Sequence, residues 1–492
     1  MGEDDNMIIP ELKRTKPIYR EIVSYFENRI LKGELPPDTR LPTERELALQ
    51  LNVNRSTVNT AYEELRASGL IQSVQGSGTR VSQHAWDLSP QRILNWNHFK
   101  NYSFSPTAPM VKRIEHARMN NGIYNLANGE LSPDLYPASI LNSVMQNLIT
   151  EGAADYSHPL DDRYFRETLA SHLLKHQIDA DPNNMMLLSN IQQSLLLITR
   201  CLLNPGDIVA IECPSYSYTV KLFASAGVRM VRLPVDENGL DPDGVSALYA
   251  KHKIKLVITE PSHQNPTGSI LSLERRKKLI NVCSDLDIPI VEIDCTAPLM
   301  HDGDKVLPPS LYTLDQKKRL VINTGSFNDT VGPGLPVCWL LASPIFIERL
   351  TDAKYQMGLS VPNLVQQLAS RFLAAHWDEH IERVNTVLRN RKKLLTESLN
   401  RHLSDLFSFQ EPDGGLYVWV KMKGYWKDSD LLEACIKENL LVVPGSVYGA
   451  ENGHVRIAFS NISEEQIEPA VESFARVVNN AKSLSQMITG LN

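Results

Sequence analysis

From Tyr124 onward, short apolar runs alternate with helical patterns, and this alternation restricts the possible folds more than any other feature of the chain. The strand-like runs are Met185–Leu188, Ile208–Ile211, Arg229–Leu233, Leu256–Thr259, Pro289–Ile293, Leu320–Asn323 and Val337–Leu341. Amphipathic stretches such as Gln192–Leu202 and Leu273–Leu286 lie between several of them. Such spacing predicts a mostly parallel α/β sheet, with sites gathered at strand ends. Beyond Ser343 the pattern turns to long helices up to about Leu403. Antiparallel-looking strands follow at Gly415–Val420, Leu441–Pro444 and His454–Phe459, with a last helix from Glu464. A large α/β domain (122–343) is therefore expected ahead of a small α+β domain with its connecting helices (344–492).

The first eighty residues follow a different rule. Ile18, Ile22, Tyr25, Phe26, Arg29 and Ile30 place one apolar stripe on a helix that ends near Gly33. Thr43 and Glu46 form a capping box for a second helix, in which each side chain satisfies an orphan N–H. After the turn Asn52–Asn54, a third helix runs from Arg55 to about Ser68, and Gly69 stops it. Leu70–Val74 and Thr79–Val81 then read as a hairpin around Gln75-Gly76-Ser77-Gly78. Helix, tight turn, helix and β-wing make a winged helix-turn-helix over residues 10–82. The N-terminus of its third helix, Arg55-Ser56-Thr57, is the end that enters the major groove in such folds.

Residues 83–121 hold scattered prolines and aromatics without a sustained period. They are expected to form a linker that docks in part on one of its domains. The net charge of −7 excludes a protein that coats nucleic acid along its whole surface, though not one with a local basic face. No apolar run approaches the ~20 residues that span a bilayer. The six cysteines are scattered and no histidine cluster has zinc spacing, so reduced thiols, a cytoplasmic location and no metal site are expected.

Three segments of the head resemble the GntR family signature: Leu41–Ala48, Val53–Val58 and Gly76–Thr79. The resemblance implies DNA contacts by Arg40, Thr43, Arg45, Arg55, Ser56, Thr57, Gly76, Ser77, Gly78 and Thr79. The larger region resembles the fold-type I aminotransferase-like half of MocR-type regulators, which are fused to such heads. Its motifs include Tyr156–Leu160 with Phe165-Arg166, where Asp162 or its neighbour replaces a glycine. Ser189–Gln193 matches a phosphate-cradling helix start, and Pro214-Ser215-Tyr216 matches a motif whose aromatic stacks on the pyridine ring. The most specific motif is Pro261–Gly268, whose Asn265 would reach the ring hydroxyl. Glu292–Cys295 matches a segment whose acid, taken as Asp294, pairs with the ring nitrogen. Near the end, Val455–Phe459 carries Arg456, which would grip an α-carboxylate bidentately.

One segment departs from the family. Leu320–Pro344 is expected to be a strand, a Gly/Ser turn at Gly325-Ser326 and a second strand. The family writes G-S-F-S-K-T-x-x-P-G-x-R there, and its lysine carries pyridoxal phosphate as a Schiff base. This chain keeps Ser326 but has Asp329 at the lysine and Pro336 at the phosphate-holding arginine. A carboxylate does not condense with an aldehyde, so transamination is not expected and no catalytic residue is assigned. Pyridoxal phosphate, if bound, would be held non-covalently by Tyr216, Asn265, Asp294, Ser326 and Asp329. The resemblance implies a head-to-tail homodimer that reads an operator with two half-sites and senses an amino acid or related small carboxylate. Two alternatives stay open: a ligand-free dimerisation scaffold, and a pyridoxal-phosphate aminotransferase.

Overall fold

The computed structural model describes residues 17–31, 34–74, 78–83, 85, 107–151, 162–300, 305–315, 319–424 and 426–489. Residues 1–102 and 103–492 form two separate compact units. In the first, helices α1 (Ile18–Leu31), α2 (Glu44–Leu51) and α3 (Arg55–Ala67) precede the antiparallel pair β1 (Ile71–Val74) and β2 (Gly78–Val81). Both halves of the capping box are formed: Thr43 Oγ1 accepts from Glu46 N, and Glu46 Oε2 accepts from Thr43 N at 2.8 Å. Gly69, at φ 74°, lets the chain leave α3 in the left-handed region that glycine tolerates. Ile22, Phe26, Ile30, Leu47, Val58, Tyr62, Leu65 and Val81 fill the core, with Tyr62 OH donating to Pro42 O at 2.8 Å.

In the second unit, α4 (Pro109–Arg118) falls inside the stretch expected to be an aperiodic linker. Its apolar face is short, with Met110 partly buried and Ile114 and Ala117 buried, which is why the period is hard to see in the sequence. These two side chains pack on Leu432, Leu441, Val443 and Tyr448, and Arg113 makes a bidentate ion pair with Glu433. Next come β3 (Tyr124–Asn125), α5 (Ala138–Thr150) and α6 (Arg163–Lys175), which Asp162 caps by accepting from Phe165 N at 2.8 Å. The motif Tyr156–Leu160 lies outside the described residues.

The large sheet has β4 (Met185–Leu188), β5 (Ile208–Cys213), β6 (Arg229–Asp236), β7 (Gly239–Leu240), β8 (Leu256–Thr259), β9 (Ile290–Ile293), β10 (Val321–Ser326) and β11 (Cys338–Leu341). Their order is β4-β11-β10-β9-β8-β5-β6-β7, and β5, β6, β8, β9 and β10 run parallel. β4, β5, β8, β9 and β11 are buried along almost their whole length, which explains their unbroken apolar runs. Helices α7 (Ile191–Leu202), α8 (Leu222–Ser225), α9 (Asp243–His252), α10 (Leu273–Asp285), α11 (Leu311–Leu314) and α12 (Asn328–Val331) connect the strands.

One expectation fails here. Gly325 and Ser326 are not a turn but the end of β10, paired with Trp339 and Cys338. Gly325 is needed because a Cβ there would lie 2.2 Å from the Trp339 ring. The chain turns only afterwards, through α12.

The remainder contains α13 (Pro344–Met357), α14 (Asn363–Ala375) and α15 (Trp377–Leu403), then β12 (Phe407–Phe409), β13 (Tyr417–Met422), α16 (Asp428–Lys437), β14 (Leu440–Leu441), β15 (Val443–Pro444), β16 (His454–Ala458) and α17 (Glu464–Thr489). β12, β13, β16 and β15 form a four-stranded antiparallel sheet, while β14 pairs with β3. β12 was absent from the expected strands; it has only three residues. Among the described residues, no helix is long and apolar enough to cross a membrane.

Candidate functional site

In the head, the exposed N-terminus of α3 is prepared for an anion. Asn54 caps it without a side-chain hydrogen bond, and the N–H groups of Arg55 and Ser56 find no protein acceptor among the described residues. The Arg55 side chain is 71% exposed and held by Glu44 at 3.4 Å; Glu44 also pairs with Arg66 at 3.2 Å. Ser56 is exposed beside it and Thr57 is half-buried. Arg45 is exposed on α2, and Arg40 is exposed where it bridges Arg80 at the root of the wing. Thr43 Oγ1 is engaged as the α2 cap, although its hydroxyl hydrogen is still able to donate. Gly78, at φ 88°, and Thr79 begin the returning strand; Gly76 and Ser77 lie outside the described residues.

The second unit holds a cavity of about 630 Å³ at the carboxyl ends of its parallel strands. The strand order reverses between β5 and β8, the place where open α/β sheets bind ligands. Tyr216 follows β5, Glu260 and Asn265 follow β8, Ser326 ends β10 and Asp329 lies on α12; all five line the cavity. Arg456 enters from β16. Five of the six expected ligand-site residues are thus brought together.

The sixth is not. Side chains alternate along a strand, and β9 turns Ile293 and Cys295 toward this cavity. Asp294 points to the opposite side, into a neighbouring cavity with His172 and Trp377 that shares Cys295 and Ser326 with the first. Its Oδ1 is buried without a partner, and burial beside Glu292 pushes its carboxyl well above the usual range. Glu292 is structural: it accepts from the N–H groups of Leu311 and Tyr312, capping α11. Pro336 is exposed and outside the cavity wall.

Arg456 is 6% exposed and sits 4.3 Å and 5.1 Å from the Tyr417 and Tyr448 ring centres. It donates to Asn265 Oδ1 at 3.1 Å and to Ala127 O, while its Nε has no partner. Asn265 Nδ2 reaches Tyr417 OH at 3.4 Å, so Asn265 already serves the arginine and the tyrosine. Tyr216 OH accepts from Gln192 at 3.4 Å. Ser326 is committed to the backbone, accepting from Asn328 N at 3.1 Å. The α7 start, Asn190–Gln192, lines the cavity, but Asn190 caps Gln193 N and the Gln193 side chain accepts from Ser189 N.

Two acids dominate the inner wall. Burial, with Glu130 nearby and Arg456 opposing, holds the Asp329 carboxyl up at about 6. Burial and neighbouring Glu212 push Glu260 up to about 8. Glu260 Oε2 accepts from Asn265 N at 2.9 Å. Among the described residues neither acid has a cationic partner within 4 Å. Glu260 was not singled out in the sequence, although it stands at a strand end directly before Pro261–Gly268. Tyr417, Tyr448 and Ile293 were missed too, because only the assembled small sheet and the pleat of β9 bring them to the cavity.

Residues 121–474 match the family "Aminotransferase class I and II", and residues 18–81 match "Bacterial regulatory proteins, gntR family". The HTH-type transcriptional regulator YdfD of Bacillus subtilis, itself uncharacterized, is 31% identical over 97% of this chain and all of its own length. The chain belongs to this family of HTH-type regulators carrying an aminotransferase domain. The regulator NorG of Staphylococcus aureus is 27% identical, covering 88% of this chain and 98% of NorG. A multiple substrate aminotransferase from Thermococcus profundus superposes with a TM-score of 0.73 at 24% identity, over 79% of this chain and all of its own. LysN of Thermus thermophilus, an alpha-aminoadipate aminotransferase, gives 0.72 at 25% identity, over 80% and 100%. These structures establish the fold. As a member of the regulator family, the chain is a DNA-binding transcription regulator with an aminotransferase-like domain.

Proposed function

We propose that the aminotransferase-like domain is a sensor that binds a free amino acid without forming a covalent bond, and that it holds the DNA-binding heads in a homodimer. One observation carries this reading. A buried arginine with an unmet Nε faces, across one cavity, an acid at the position where the family places its Schiff-base lysine. The guanidinium suits an α-carboxylate, and the acid suits an ammonium group.

The residues present do not fit covalently held pyridoxal phosphate. Asp329 cannot condense with it, and β9 presents apolar Ile293 to the cavity while Asp294, the acid expected to pair with the ring nitrogen, faces away. The α7 start is partly capped by its own side chains. Lys221 is the one lysine among the described residues that lines the cavity. Transaminase activity is therefore no part of this reading.

Dimerisation would place two heads on two operator half-sites, in the head-to-tail arrangement that the family resemblance implies. Calorimetric titration of the full-length protein with individual amino acids tests the sensor. Saturable binding that Arg456→Met abolishes supports it; absence of binding by every amino acid leaves only a scaffold.

A further inference from the structure

Resting on the sensor reading, we infer that the ligand is a dibasic amino acid, such as lysine or ornithine, whose side-chain ammonium lies between Glu260 and Asp329. The innermost wall presents two carboxylates, Glu260 and Asp329, and one guanidinium, Arg456. Near pH 7 Asp329 is largely ionised and balances Arg456, while Glu260 keeps its proton; ionising Glu260 as well leaves one net negative charge for an incoming cation to meet. The other charged groups on the wall are compensated in part, since Arg118 lies 3.6 Å from Glu130 and 3.7 Å from Glu115.

Taking an uncompensated charge out of water is costly, so a ligand that fills the cavity is favoured when it restores neutrality. A neutral amino acid brings one carboxylate and one ammonium and leaves Glu260 protonated and without an ionic partner. A dibasic one brings a second ammonium, against which Glu260 gives up its proton and pairs; an acidic one brings a second carboxylate toward the two acids. Glu260 uses only Oε2, toward Asn265 N, and Asp329 makes no hydrogen bond among the described residues. Both therefore keep oxygens for an ammonium, which has three donors to share.

Two buried groups besides the acids point to an occupant. The Arg456 Nε is unpartnered on a side chain 6% exposed, and His263, 2% exposed on the same wall, has neither ring nitrogen bonded. The ring stays neutral, since burial holds its pKa down at about 4, so it offers one donor and one acceptor rather than competing as a cation.

The probes are L-lysine, L-ornithine, L-norleucine (similar in length to lysine but lacking its side-chain ammonium) and L-glutamate, titrated into full-length protein. Lysine or ornithine should bind at least about ten-fold tighter than norleucine, the scale of one charge-assisted contact. Glu260→Gln should remove most of that preference, bringing the affinity for lysine close to that for norleucine. Norleucine or glutamate binding as tightly as lysine would overturn the inference yet leave the sensor reading intact. Failure of all four to bind would overturn the inference, and the sensor reading would fall only if every other amino acid failed as well. Should Glu260→Gln not fold, the wild-type ratio of lysine to norleucine decides alone.

Discussion

At the scale of single residues, Asp329 and Glu260 tie the cavity to stability. The folded protein holds both carboxyls above their ordinary range, at about 6 and about 8. In the unfolded chain both release their protons near pH 4. Between about pH 4 and 8 the native state thus binds protons that the unfolded chain has lost, and stability falls as pH rises. Burial supplies most of the effect, Glu212 and Glu130 add to it and Arg456 opposes it. Asp329→Asn should leave urea stability almost unchanged near pH 4 and raise it by about 1–3 kcal/mol near pH 8. An equal change at both values would show that this carboxyl is not held protonated. The same substitution should weaken lysine binding, so stability and recognition are in opposition at this position.

Elements account for both the clear and the hidden parts of the sequence. The α2 cap was readable because Thr43 and Glu46 act within four residues of one another. Thr43→Ala should cost the head about 1 kcal/mol, measured on its own unfolding transition. The α3 start was equally plain: Arg55→Ala should weaken operator binding by about 1–3 kcal/mol and relax preference at one base pair. A loss that is equal on all DNA sequences would make Arg55 a phosphate contact instead. β9 was harder. A one-residue error on a pleated strand moves a side chain to the other face, and that error separates Asp294 from Ile293. The Gly325 position was misread because a glycine suggests a turn, whereas here it makes room for Trp339 from a neighbouring strand. Tyr417 and Tyr448 become site residues only through the small sheet, which no local pattern encodes. The docking of α4 was likewise hidden, its apolar face being only two buried residues wide.

For the whole molecule, two units with separate cores divide the work: one reads DNA and the other is argued to read an amino acid. Removing residues 1–82 should abolish operator binding and leave a dimer by sedimentation; a monomer would contradict the proposed assembly. Recognition depends on a few placed arginines in a chain of net charge −7, so operator affinity should fall steeply with added salt. In the proposed function the aminotransferase scaffold recognises its ligand without covalent chemistry. The most direct test is the intact mass of full-length protein incubated with pyridoxal phosphate and reduced with borohydride. An unmodified chain is expected; a stoichiometric pyridoxyl adduct on a single lysine, Lys221 foremost, would contradict non-covalent recognition.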